Sequence, residues 1–196
     1  MQVLALNGSP RAQGNTHLAL RTVCEVLEKE GIQTEIMHIG HEAIRGCMAC
    51  FSCANGQGCA HADGDFRART NAMYAADGIL IGSPVYYSAI SGTLKSFLDR
   101  AFFSSKGRLR HKIAASVAVA RRAGAVSTFD QINHYFLISE MVIAPAQYWN
   151  VARGLAVGDV LSDAEGISIF RNLGKNMAWL LKMREAASAI RPPEAE

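Results

Sequence analysis

Val3-Leu4-Ala5-Leu6-Asn7-Gly8-Ser9-Pro10-Arg11-Ala12-Gln13-Gly14-Asn15-Thr16 is the stretch whose reading decides the fold. Val3 to Leu6 is a short apolar strand, and Asn7-Gly8-Ser9-Pro10 breaks it with turn residues. Apolar residues then recur at helical spacing, with Leu20, Val23, Cys24 and Leu27 at i, i+3, i+4 and i+7, until Gly31 ends the helix. The chain therefore opens as strand, tight polar loop, helix.

The alternation continues outward from that unit. Thr34 to Ile39 reads as a second strand, followed by a cysteine-rich loop, and a helix over Phe66 to Ala76 leads to the fully apolar strand Gly78 to Gly82. Ile90, Leu94, Phe97, Leu98 and Ala101 line one face of the next helix, and Lys112 to Ala120 is a fourth strand. A helix over Ser127 to Ser139 precedes a short fifth strand, Met141-Val142-Ile143. The last helix opens with the capping box Ser162-x-x-Glu165 and carries Phe170, Leu173, Met177, Leu180 and Leu181. Five strands alternating with helices predict an α/β fold, a parallel sheet covered on both faces and joined by right-handed crossovers. No repeat or linker divides the chain, so 1–187 is expected as one doubly wound domain and 188–196, with Pro192-Pro193, as a disordered tail.

Composition agrees with one packed domain: 196 residues, 49% hydrophobic, 19% charged. A net charge of +3 is too mild and too scattered to argue for nucleic acid. No export segment or membrane-length apolar run is visible, so a cytoplasmic protein is expected, whose cysteines stay reduced.

In a doubly wound sheet, ligands bind beyond the carboxyl ends of the strands, which directs attention to three loops. The first supplies curled backbone at Gly8 and Gly14, side-chain donors on Ser9, Asn15 and Thr16, the charge of Arg11 and a helix N-terminus. Together they form a nest for one phosphate monoester. The alternative is an ordinary turn with Asn15 as helix cap. The loop matches neither G-x-x-x-x-G-K-[ST] nor G-x-G-x-x-G, which disfavours nucleoside triphosphates and Rossmann dinucleotides. The second loop, Gly82 to Gly92, offers Pro84, Val85, Tyr86, Tyr87 and Ser88, where a flat heteroaromatic ring can stack and bond to backbone amides. The third, with Arg121, Arg122 and Gly124, adds guanidinium groups and amides. Taken singly, each reads equally as a packed turn or a solvated pair; their convergence at one edge argues for a site.

Cys47, Cys50, Cys53 and Cys59 follow the second strand with spacing C-x2-C-x2-C-x5-C. Four thiolates this close suit a [4Fe–4S] cluster, tetrahedral zinc, or redox-active or simply reduced thiols. Zinc is disfavoured because structural zinc sites usually take ligands in two separated pairs. His61 could replace a thiolate but reads better as a loop residue, and Cys24 reads as core. Tyr148-Trp149 lies in a long connection before the last helix, either packed locally or capping a ligand of a neighbouring subunit.

The stretches GSPRAQGNT, CMACFSCANGQGC with Ala62-Asp63-Gly64-Asp65, GSPVYYSAISGTLKSFLDR and NLGKNMAWLL resemble the NAD(P)H-dependent FMN reductase branch of the flavodoxin-like fold, and within it the iron–sulfur flavoproteins. The resemblance runs from Val3 to about Lys182. It implies a five-stranded sheet of order 2-1-3-4-5 with the cysteine loop 46–65 inserted after strand 2. It implies FMN, its phosphate on Ser9, Arg11, Gly14, Asn15 and Thr16, and its isoalloxazine against Pro84, Val85, Tyr86, Tyr87 and Ser88 near Arg121, Arg122 and Gly124. It further implies a [4Fe–4S] cluster on Cys47, Cys50, Cys53 and Cys59, NAD(P)H as transient donor, and a homodimer or homotetramer. The cysteine run is expected at the same carboxyl edge, within reach of the flavin. No side chain need act as acid, base or nucleophile.

Three functions follow. One is an NAD(P)H oxidoreductase reducing a small acceptor such as a quinone, flavin, nitro or azo compound, or metal ion. Another is a carrier exchanging electrons with a ferredoxin-like partner, and the third is a non-redox zinc module. Neither nucleic acid nor membrane is expected as a partner.

Overall fold

Parallel strands buried on both faces need helices above and below them, and the chain supplies both layers. The computed structural model describes residues 1–61, 64–190 and 193. Its strands are β1 (Gln2–Asn7), β2 (Gln33–His38), β3 (Gly78–Pro84), β4 (Ile113–Ala120), β5 (Val142–Ile143) and β6 (Val151–Arg153). Its α-helices are α1 (Asn15–Lys29), α2 (Phe66–Ala75), α3 (Gly92–Phe103), α4 (Ala125–Ile138) and α5 (Ala164–Ala186). All ladders are parallel, in the order β2-β1-β3-β4-β5, with β6 also on β4. The doubly wound order is the expected one.

Alternation along the strands divides the core in two. Val3, Ala5 and Leu80 pack on one face with Leu20, Val23, Cys24 and Leu27 of α1 and Phe170, Leu173 and Met177 of α5. Leu4, Leu6, Ile79 and Ile81 point to the other face, against Met73 of α2, Leu94, Phe97 and Leu98 of α3, and Ile132 and Phe136 of α4. Cys24, on the α1 and α5 face, is fully buried, and burial pushes its thiol up to about 11, so it is an inert core residue.

The structure departs from the sequence pattern at the far edge. The fifth position of the sheet is shared: β5 pairs with Ile113 and Ala114, β6 with Ala118 to Ala120, and residues 144–150 loop out between them. Val151-Ala152-Arg153 is too short to signal a strand by periodicity, and only its register on β4 defines it. The cap of α5 is Asp163, whose Oδ1 accepts from Gly166 N at 3.0 Å, and not Ser162, which belongs to the 3₁₀ turn Asp159–Ser162. Ile90 is buried in the α3 core but precedes the helix, which starts at Gly92. Ala62, Asp63 and most of the expected tail, including Pro192, lie outside the described residues. Among those described, no helix is long and apolar enough to cross a membrane.

Candidate functional site: three tied loops and a cysteine pocket

Asn7 ends β1 fully buried, and its side chain shapes the first loop: Oδ1 accepts from Ser9 N at 3.0 Å and Nδ2 donates to Ala12 O at 3.1 Å. Ser9 Oγ then accepts from Arg11 N at 3.1 Å. His38, at the end of β2, donates from Nε2 to Ser9 O at 2.7 Å. Gly40 is obligatory beside it, because a Cβ there would lie 2.3 Å from the Ser9 carbonyl oxygen. In α1 the first intrahelical bond runs from Leu18 N to Gly14 O, and no side chain caps the helix. The amides of Asn15, Thr16 and His17 are therefore open to an anion, with Arg11 exposed at the rim.

Asn15 is not the helix cap, and its side chain is not a free donor. Oδ1 accepts from Gly158 N at 2.9 Å and Val160 N at 3.4 Å, and Nδ2 donates to Ala156 O at 2.7 Å. Its carboxamide ties the first loop to the segment before α5, leaving the backbone N–H for a ligand.

The second loop is a tight hairpin. Tyr86 and Ala89 exchange two backbone bonds of 2.9 Å around Tyr87 (φ 51°) and Ser88 (φ 60°). Left-handed backbone at two non-glycine residues is costly and persists only where the surroundings impose it. They do so here: Gln131 Nε2 donates to Ser88 O and Gln131 Oε1 accepts from Ile90 N, both at 3.3 Å. Gly124, at φ 84°, packs against the same turn, where a Cβ would lie 2.6 Å from Ser88 Oγ. Ser91 Oγ donates to Gly8 O at 2.6 Å, tying the second loop to the first. Pro84 and Val85 are half-buried, Tyr86 and Ser88 exposed, and Tyr87 stands wholly in solvent at 104%. Arg121 and Arg122 are exposed and pair with no carboxylate among the described residues. The three loops that the sequence singled out thus form one rim, the first bonded to the second through Ser91 and the third packed on the second at Gly124, with open amides at one end and an aromatic turn at the other.

The cysteine run folds into a pocket against a helix. Cys47, Cys50, Cys53 and Cys59 line one pocket, but its wall is Arg100 and Phe103, in the second half of α3. Gly92, at the start of that helix, adjoins the rim through Ser91, and a rise of about 1.5 Å per residue puts Arg100 about 12 Å further along. The pocket therefore lies against the flank of α3, and Arg100 also reaches Arg45, downstream of β2, and Phe66 at the start of α2. Left-handed residues Ala49, Phe51, Gly56 and Gly58 fold the loop back on itself. Arg100, 3% exposed, closes it: Nη1 donates to Arg45 O at 3.3 Å, Nη2 to His61 O, and the guanidinium lies 4.0 Å from the Phe66 ring centre. His61 thus serves through its carbonyl.

Cys53 is buried, Cys59 half-buried, and Cys47 and Cys50 exposed. A hydrogen bond from Ser52 holds the Cys50 thiol below its ordinary value. The pocket that the four line together with Arg100 and Phe103 holds ≈20 Å³, and Cys47 and Cys50 are its exposed thiols. Among the described residues no three such ligands are close enough to hold one ion. The donor set suits a cluster better, since each thiolate of a cube binds a different iron.

The family model described as NADPH-dependent FMN reductase matches residues 1–156, which contain every strand, all three loops and the cysteine run. The chain belongs to that family. NADPH-dependent FMN reductases are oxidoreductases, and an iron-sulfur flavoprotein of Methanocaldococcus jannaschii is 36% identical over 191 residues, covering 93% of this chain and 98% of its own. An NADPH azoreductase of a Bacillus species is 27% identical over 124 residues, covering 61% of this chain and 59% of its own. Among solved structures, RosB with a bound formylriboflavin-phosphate intermediate superposes with TM-score 0.76 at 16% identity, covering 95% of this chain and 81% of that one. That likeness concerns the fold alone. Within this member of the FMN reductase family, the ties made by Asn7, Gly40, Ser91 and Gln131 carry no motif in the sequence. Arg100 does carry a signal: a charged residue three positions after Phe97, on the apolar face of α3.

Proposed function

We propose that this chain is an FMN-dependent NAD(P)H oxidoreductase of the iron–sulfur flavoprotein type, passing electrons to a small acceptor such as a quinone, flavin, nitro or azo compound, or metal ion. The observation that carries this reading is the tied rim, in which an anion cradle and an aromatic turn are fixed relative to one another by Ser91, Gln131 and Gly124. FMN, when bound, exchanges a hydride with NAD(P)H and releases electrons singly. The amides of Asn15 and Thr16, with Ser9, Gly14 and Arg11, would hold its phosphate. Pro84 to Ser88 would support the ring, and the Arg121 guanidinium with the backbone amides of Arg122 and Gly124 would bring donors to its polar edge. The preformed bonds among these loops keep those donors oriented before a ligand arrives.

Cys47, Cys50, Cys53 and Cys59 would hold a [4Fe–4S] cluster, with Arg100 keeping the two ends of their loop together. The name of the Methanocaldococcus jannaschii relative supports this, and that of the Bacillus relative supports NADPH as donor and a small acceptor. A cytoplasmic setting would keep the thiols reduced, and a homodimer or homotetramer would cover the exposed aromatics.

A second reading, electron exchange with a ferredoxin-like partner, is favoured by the exposure of Met48 and Phe51 beside the cysteines. Anaerobic mixing with NADPH or NADH separates the two. Bleaching of flavin absorbance within seconds is the result expected of the oxidoreductase. A flavin that stays oxidised for minutes would leave the carrier.

A further inference from the structure

Beside the third loop, outside the phosphate cradle, lies a cavity of ≈470 Å³ whose lining includes Arg122, Arg153, Tyr148, Trp149, Asp163 and Glu165. It exists because the fifth strand is split. The loop 144–150 leaves the sheet and returns at β6, which sets Tyr148 and Trp149 at the cavity mouth, their ring centres 4.9 Å apart and each about half exposed (55% and 50%). Arg122 comes from the loop after β4 and Arg153 from the end of β6, and neither pairs with a carboxylate among the described residues. Asp163 is already engaged, accepting from Gly166 N at 3.0 Å and from Arg153 N at 2.8 Å. Glu165 is exposed and leaves an acceptor on the rim.

A cavity of this size suits a nucleotide, its aromatic pair a flat base, and two unpaired guanidiniums a phosphate. We infer that it receives the adenosine 2′-phosphate end of NADPH. Adenine stacks on Trp149, with the Tyr148 ring tilted 59° beside it, the 2′-phosphate lies between Arg122 and Arg153, and Glu165 accepts from a ribose hydroxyl. This rests on the oxidoreductase reading, because Arg122 also belongs to the loop assigned to the flavin, and one dinucleotide then spans cavity and flavin. It deepens that reading by choosing NADPH over NADH: NADH lacks the phosphate that would answer the two cations.

The test is calorimetric titration of the purified protein, with whatever cofactors it retains, using 2′,5′-ADP and 5′-AMP as probes. 2′,5′-ADP is expected to bind about tenfold more tightly than 5′-AMP, the effect of a charge-assisted contact. Arg153→Ala should abolish that preference and Arg153→Lys restore part of it, while Trp149→Ala should weaken both probes alike. Flavin content should be unchanged in all three, since these exposed side chains lie outside the phosphate cradle. Equal affinity for the two probes, no binding of either, or an Arg153→Ala variant that keeps the preference would overturn the inference. A protein that bleaches with NADPH yet ignores 2′,5′-ADP contradicts this inference alone. A flavin-free protein that binds 2′,5′-ADP contradicts the oxidoreductase reading instead.

Discussion

At the residue scale, Gly124 is the most exacting position in the rim. Its φ of 84° costs an alanine about 1–2 kcal/mol, and the added methyl would meet Ser88 Oγ at 2.6 Å and Cα at 3.0 Å. Gly124→Ala should therefore lower the urea midpoint and weaken FMN binding together, as measured by fluorescence titration of apoprotein. Arg100 acts on the other pocket. Each charge-assisted bond to a carbonyl contributes about 1.5–3 kcal/mol, and Arg100→Met removes two of them from the ends of the cysteine loop. Iron per chain should fall several-fold while FMN content holds, and amide exchange across 46–61 should quicken even in metal-free protein; unchanged exchange would contradict the clasp. His17 carries a pH effect. Burial, with help from Arg21 and His38, lowers its pKa below the usual 6.5, so the folded state resists its protonation. Its contribution is complete above 6.5 and is lost as pH falls through the lowered value. The drop in melting temperature between pH 7.5 and pH 5 should accordingly be smaller in His17→Asn than in the parent. Individual residues are the least legible scale in the sequence: Ser9, Arg11 and Gly14 suit a phosphate by type and spacing, but their bonds to Asn7 and to one another follow no motif. The second task of Asn15, bonding residues 156–160, depends on a chain reversal that no local pattern encodes.

At the scale of elements, type and order follow from periodicity, and ends do not. Leu20, Val23, Cys24 and Leu27 mark α1 by spacing, and all four are fully buried. The apolar run in β3 marks a strand covered on both sides, as found. The split fifth strand escaped because Val142-Ile143 and Val151-Ala152-Arg153 are each defined by pairing with β4 and not by any pattern of their own. The α5 cap escaped because Ser162 and Asp163 are both good capping residues, and the carboxylate is the one that meets both Gly166 N and Arg153 N. Asp163→Ala should cost about 1 kcal/mol for the cap alone and more through the freed β6 amide. Asp163→Asn, which keeps one of the two acceptor oxygens, should recover part of the melting temperature, and equal losses in the two variants would contradict the assignment.

At the scale of the whole molecule, the doubly wound order gathers β1, β3 and β4 so that their following loops share one edge. The cysteine run follows β2, and nothing in the sequence pattern pairs it with α3. Its position on the flank of α3 is set by long-range contacts: Arg100 reaching Arg45 and His61, and Phe51 packing edge-on to Phe103 with ring centres 5.9 Å apart. The cysteine pocket and the rim thus have different linings, and the expectation of FMN rests on the rim alone. It is tested most directly by the visible spectrum and extracted flavin of anaerobically purified protein. About one FMN per chain, with flavin absorbance that Gly124→Ala diminishes, is the predicted result. A protein that carries no flavin and fails to take up added FMN would contradict the account.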